Sequence, residues 1–106
     1  MAVVALISPY RADRARARSI HRAAGLQFQE IWIDTPLHVC QRRDPKGIYA
    51  RARSGELHGV TGVDAPYEPP LDADVRISGD ACSPDGAAAA ILGASGLVSI
   101  ERVPAA

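Results

Sequence analysis

A net charge is the first thing this sequence lacks: twelve Lys and Arg stand against twelve Asp and Glu in 106 residues. That balance removes the strongest sequence argument for a nucleic-acid or anionic-membrane partner. Cysteine is nearly absent too. Cys40 and Cys82 fit no metal-ligand spacing and cannot build a disulfide framework. The histidines, His21, His38 and His58, lack ligand spacing as well. Long hydrophobic runs are missing. Met1–Ile7 is apolar but short, has no basic flank and runs straight into Ser8-Pro9, unlike a secretory signal. The uncharged stretch 86–100 is broken by Gly93, Ser95 and Gly96 and is too short to span a bilayer. A cytoplasmic protein with no membrane and no nucleic-acid partner is expected.

What is present suits one compact domain over residues 1–106, with 47% apolar and 23% charged residues. The neutral total hides an asymmetry. Residues 1–53 hold ten Lys/Arg and four Asp/Glu, a balance of +6, and residues 54–106 hold two and eight, a balance of −6. A basic half in a neutral protein suits an anionic small molecule, and a charge-compensated fold surface is the alternative reading.

Ala2–Ile7 is a continuous β-branched and aliphatic run, the pattern of a strand buried on both faces of a parallel sheet. Pro9 ends it. Residues 12–24 read as a helix, with Ala12, Ala15, Ile20 and Ala23 as a narrow apolar stripe and Arg14, Arg18 and Arg22 as a solvated basic ridge. Gly25 sits where a left-handed C-terminal cap belongs. Phe28–Ile33 reads as a second strand. Thr35 and Pro36 then supply an N-cap and first helical position for a short helix through Val39, Cys40 and Arg43. Strand, helix, strand, helix is the rhythm of an α/β fold with a short parallel sheet flanked by helices.

The segment from Asp44 to Pro70 breaks that rhythm. Rich in Pro and Gly, with one helical turn near Ile48–Arg53, it is expected to be a lid or binding loop. Asp74–Ser78 reads as a third strand, and Ser83-Pro84-Asp85 caps an Ala-rich helix from about Gly86 to Leu92. The tail after Gly96 is ambiguous.

Ligands of open α/β sheets bind beyond the carboxyl ends of strands. Ser8-Pro9-Tyr10-Arg11, Asp34-Thr35 and Asp80/Cys82 fall at such ends. Arg11 has the fork to grip phosphate or sulfate oxygens, and Lys46, beside Gly47, offers a point charge. Arg43, Arg51 and Arg53 have the charge to surround a transferring phosphoryl group. Each has a plainer reading: Ser8 as a turn residue before Pro9, Asp44-Pro-Lys-Gly47 as an ordinary turn, Cys40 as a small buried hydrophobe.

Three stretches taken together resemble the adenylylsulfate kinases (adenosine 5′-phosphosulfate kinases). They are ISPYRADR (Ile7–Arg14), FQEIWIDTPLHVCQRRDPKGIYARARSGEL (Phe28–Leu57) and TGVDAPYEPP (Thr61–Pro70), collinear with the C-terminal half of that family. The resemblance implies a partial P-loop kinase fold of three layers, with a lid over about residues 44–70. It implies ATP-dependent phosphorylation of the 3′-hydroxyl of adenosine 5′-phosphosulfate in sulfate assimilation, with Mg²⁺. Ser8 stands where some members carry a phosphorylated serine assigned to catalysis. Ile7, Ser8 and Lys46 correspond to positions facing the phosphosulfate substrate, Arg43 opens the lid, and Cys82 falls at the strand end that meets the ATP base. Gly59 and Val60 occupy the place of an aromatic residue that stacks on the substrate's adenine. Val60 has no ring, a loss typically worth about 1 kcal/mol or more of binding.

The chain departs from the family elsewhere. No GxxxxGK[ST] occurs in the 106 residues, so no glycine-rich loop cradles the ATP phosphates and no hydroxyl is offered to Mg²⁺. Three readings follow: a kinase half whose P-loop comes from a separate N-terminal half, a non-catalytic nucleotide- or anion-binding module derived from the kinase, or a homodimer pairing exposed strands.

Overall fold

The computed structural model describes residues 1–96, and the tail beyond Gly96 lies outside the described residues. Six elements follow in order: α1 (Arg11–Ala23), β1 (Ile31–Ile33), α2 (Leu37–Arg43), α3 (Ile48–Arg53), β2 (Val75–Ile77) and α4 (Pro84–Ser95). They fall into two compact units, residues 1–28 with 37–71 and residues 29–36 with the chain from 72 onward.

The second unit holds the sheet. β1 and β2 pair in parallel, with Ile31 opposite Val75, Trp32 opposite Arg76 and Ile33 opposite Ile77. Period-2 alternation puts Trp32 and Arg76 on one face, where the guanidinium lies 4.7 Å from the indole centre. The same Arg76 Nε donates to Asp34 Oδ2 at 2.8 Å. On the other face Ile77 is buried. Both strands are shorter than expected: Phe28–Glu30 and the ends at Asp74 and Ser78 stay outside the ladder. The Asp74 carboxylate accepts Glu30 N–H at 2.6 Å and so closes the sheet with a side chain. Gly79 follows β2 because a Cβ there would lie 1.9 Å from Thr35 Oγ1, a stiff β-branched neighbour with little room to yield.

α4 packs on β2, and Gln29 Nε2 donates to Ala94 O. It runs longer than the expected Gly86–Leu92, but the expected cap is there: Ser83 Oγ accepts Gly86 N–H at 3.1 Å and Pro84 takes the first helical position. α2 starts one residue later than expected, leaving Pro36 just outside the helix.

α1 ends as its sequence predicts. Gly25, at φ 70, sits past the last turn, with Gly25 N–H to Arg22 O and Leu26 N–H to His21 O closing a Schellman motif. Its inward face differs. Ile20 is 59% exposed, whereas Arg14, Ala17, Arg18 and His21 are half-buried. The basic ridge, apart from exposed Arg22, therefore packs inward. Arg18 lies 5.2 Å from the Phe28 ring centre and His21 5.0 Å from it. Alanine offers little area to bury, and an arginine stem with its flat cation offers more.

The largest correction concerns Ala2–Ile7. This run forms no strand, and Val3, Val4, Leu6 and Ile7 are 70% or more exposed. A run apolar on both faces needs two covering layers and a paired edge, and it has neither among the described residues. Buried apolar side chains are correspondingly few: Val39 and Val60 in the first unit and Ile77 in the second.

Candidate functional site

Ile7, Ser8, Arg11, Arg43, Lys46, Gly59 and Val60 all belong to the first unit, and Cys82 to the second. Within the first unit, three turns carry them, and each turn is held by a side chain that does not itself face a ligand in the sequence reading.

The first turn is Ser8-Pro9-Tyr10. Ser8 is half-buried at φ 40, a left-handed conformation costing a non-glycine residue about 1–2 kcal/mol. Arg14, one turn into α1, donates from Nη1 to Ser8 O at 2.6 Å and from Nη2 to Glu68 O at 2.5 Å. Glu68 N–H donates to Pro9 O at 2.8 Å. Tyr10 gives α1 no side-chain cap, and Glu68 Oε1 takes that place by accepting Arg11 N–H at 2.8 Å. Arg11, expected to grip an oxyanion, donates from Nε to Pro69 O at 2.7 Å. Residues 8–14 and 67–69 are thus joined by four hydrogen bonds, of which two use an arginine side chain. Arg14 also lies 5.8 Å from the Tyr67 ring centre.

The second turn, Asp44-Pro45-Lys46-Gly47, links α2 to α3. Gly47 is the N-cap of α3 and has no side chain to cap it. Asp44 does this from outside: Oδ1 accepts Tyr49 N–H at 3.1 Å and Oδ2 accepts Ala50 N–H at 3.0 Å. Asp44 sits at φ 29, a region that Asp tolerates better than most residues. Exposed Lys46 is at the outer bend, and Arg43, also exposed, ends α2. Burial pushes the Tyr49 phenol above its ordinary pKa, with Cys40 and Asp44 adding to the rise.

The third turn spans Gly59 to Ala65. Asp64 Oδ2 accepts Gly59 N–H at 2.7 Å and Oδ1 accepts Val60 N–H at 2.6 Å, while Gly62 N–H donates to Ala65 O. Gly59 is exposed. Val60 is 9% exposed, so its isopropyl group belongs to the packing of the unit and offers no open face.

The Gly59 amide, then the Val60 amide, hold the Asp64 carboxyl below its ordinary pKa. A depressed folded-state pKa means that the turn's stabilisation is complete above the unfolded value and is lost as pH falls through the folded one. The Gly59 and Val60 amide resonances are therefore expected to stay fixed from neutral pH down past ordinary carboxylate titration, then to move together. Asp64→Asn removes that shared transition. Independent movement of the two amides in the unsubstituted chain contradicts this account.

The holding groups, Arg14, Asp44, Asp64 and Glu68, are what sequence reasoning missed. Asp44 had a readable signal, an acidic residue shortly before a helix that starts on glycine. The other three had none, because their partners are brought near only by the folded turns.

In the second unit, half-buried Cys82 follows a turn in which Ser78 Oγ donates to Asp80 Oδ1 at 2.8 Å. Among the described residues no three His, Cys, Asp or Glu side chains gather as metal ligands. With no GxxxxGK[ST] in the sequence, the residues present do not fit a Mg²⁺–triphosphate. No described helix is long and apolar enough to cross a membrane.

Comparison with known proteins follows the same outline. The family profile described as adenylylsulphate kinase matches residues 1–78. The adenylyl-sulfate kinase of Saccharomyces cerevisiae is 48% identical over 80 residues, which are 76% of this chain and 40% of the yeast protein. The chloroplastic adenylyl-sulfate kinase 4 of Arabidopsis thaliana is 52% identical over 75 residues, 71% of this chain and 24% of that one. Among solved structures, the Mycobacterium tuberculosis APS kinase CysC in complex with AMPPNP and APS superposes with a TM-score of 0.81 at 45% identity. The match covers 86% of this chain and 52% of that one. The chain thus spans about half of that structure and less of the two curated relatives. Its architecture is part of the α/β P-loop kinase fold.

Proposed function

Because the chain belongs to the adenylylsulphate kinase family, we propose that it supplies the acceptor-binding half of such an enzyme, which phosphorylates the 3′-hydroxyl of adenosine 5′-phosphosulfate with ATP in sulfate assimilation. The observation that carries this reading is the gathering of Ile7, Ser8, Arg11, Arg43, Lys46, Gly59 and Val60 into one unit whose turns are fixed by internal hydrogen bonds. In that reading Lys46 brings an ammonium to the phosphosulfate from the lid, and Ser8 borders the reacting end of the nucleotide. Cys82 takes the place of the family position that meets the base of the donor. Mg²⁺ and the donor triphosphate are held by a glycine-rich loop on another polypeptide segment. A separate kinase half serves this better than a homodimer, since a second copy brings no such loop. The cytoplasmic setting expected from the sequence belongs to the same proposal.

The absence of a donor loop from these 106 residues favours a second reading, a nucleotide-binding module without phosphoryl transfer. Both readings predict saturable heat on calorimetric titration of the full chain with adenosine 5′-phosphosulfate and none with ATP alone. Failure to bind adenosine 5′-phosphosulfate sinks both.

A further inference from the structure

Arg14 bridges the Ser8 turn and the Tyr67–Pro69 segment through its own guanidinium. The two carbonyls it joins belong to residues 60 positions apart, and one of them closes a backbone turn in the left-handed region. The same guanidinium lies over the Tyr67 ring, 5.8 Å from its centre, a third contact with this junction. We propose that Arg14 is a positioning residue, whose fork holds the Ser8 turn and the end of the lid segment as a single frame for the acceptor nucleotide.

This rests on the acceptor-binding reading above, but the frame itself is a property of the chain alone. Lysine offers its donors from a single nitrogen on a flexible stem and has no planar fork, so it holds the two carbonyls less firmly than two separate guanidinium nitrogens do. Arg14 therefore acts through Ser8 and Glu68, and the neighbouring Arg16, exposed on α1, has no such part.

Amide hydrogen exchange on the full chain tests the frame without any ligand. The Glu68 amide, bonded to Pro9 O, reports the junction, and the Leu26 amide, bonded to His21 O, reports the end of α1. Arg14→Gln is expected to speed exchange at Glu68 by about tenfold or more and to leave Leu26 unchanged, with Arg14→Lys intermediate and Arg16→Gln without effect. Calorimetry with adenosine 5′-phosphosulfate is expected to show affinity down about tenfold for Arg14→Gln and partly restored in Arg14→Lys. Unchanged exchange at Glu68, or equal acceleration at Glu68 and Leu26, overturns the proposal. So does a loosened junction with undiminished nucleotide affinity. If Arg14→Gln does not fold, the lysine variant decides by the same two amides. Should the unsubstituted chain bind no nucleotide while the Glu68 response appears, the frame stands and the acceptor-binding reading falls.

Discussion

Mixed with a polypeptide that carries a GxxxxGK[ST] loop between a strand and a helix, the chain is expected to make the 3′-phosphorylated nucleotide from ATP and adenosine 5′-phosphosulfate. The rate should exceed that of either component alone by about a thousandfold or more, because phosphoryl transfer relies on the charges and backbone donors around the transferred group. By itself the chain is expected to run at the uncatalysed background, since its residues do not fit the donor triphosphate. Replacing the lysine of the added loop by alanine should return the mixture to that background. A mixture no faster than its parts rejects the two-component reading and leaves the binding module. Appreciable turnover by the chain alone would show that the donor site has been misread.

Asp44→Ala carries the next largest effect. It strips the two acceptors from Tyr49 N–H and Ala50 N–H at the start of a six-residue helix that has no cap of its own. Loss of such a cap costs about 1–2 kcal/mol, and alanine is also a poorer occupant than aspartate of the backbone conformation at this position. A helix this short has no reserve of its own. Amide exchange at Tyr49, Ala50 and Arg51 is expected to rise by about 5–30-fold, the equivalent of that cost. Asp44→Asn keeps one carbonyl acceptor and should lose less. With α3 loosened, the bend that carries Lys46 is no longer anchored at its far side, so affinity for the phosphosulfate nucleotide should fall in parallel. Unaltered exchange at all three amides would mean that α3 is held from elsewhere.

The elements were legible where local chemistry decides them. Gly25 and Ser83 mark helix ends because a left-handed residue and a hydroxyl acceptor are needed there whatever lies beyond. Ile48–Arg53 was legible from its flanking glycines. The inward face of α1 was not legible. Counting hydrophobic residues favours Ala12, Ala15, Ile20 and Ala23, while Arg14 and Arg18 in fact pack inward beside Tyr67 and Phe28. Ala2–Ile7 failed for a different reason. Its pattern states what the run requires, two covering layers, and says nothing about whether the described chain contains them. At the candidate site, the residue types that meet phosphate were readable. Of the groups that fix their turns, Asp44 was readable as an acidic residue just before a helix that starts on glycine, whereas Asp64, Glu68 and the arginine fork were not, because one carboxylate looks like another until the backbone brings N–H groups to it.

The uncovered Val3–Ile7 stretch has one more consequence. Five consecutive apolar residues, three of them β-branched and with neither charge nor proline, form the kind of segment that stacks into cross-β fibrils when many copies meet. Whatever shields this segment in the cell must be made in step with it. Synthesis of the chain in excess of that shield would deposit it as insoluble filament.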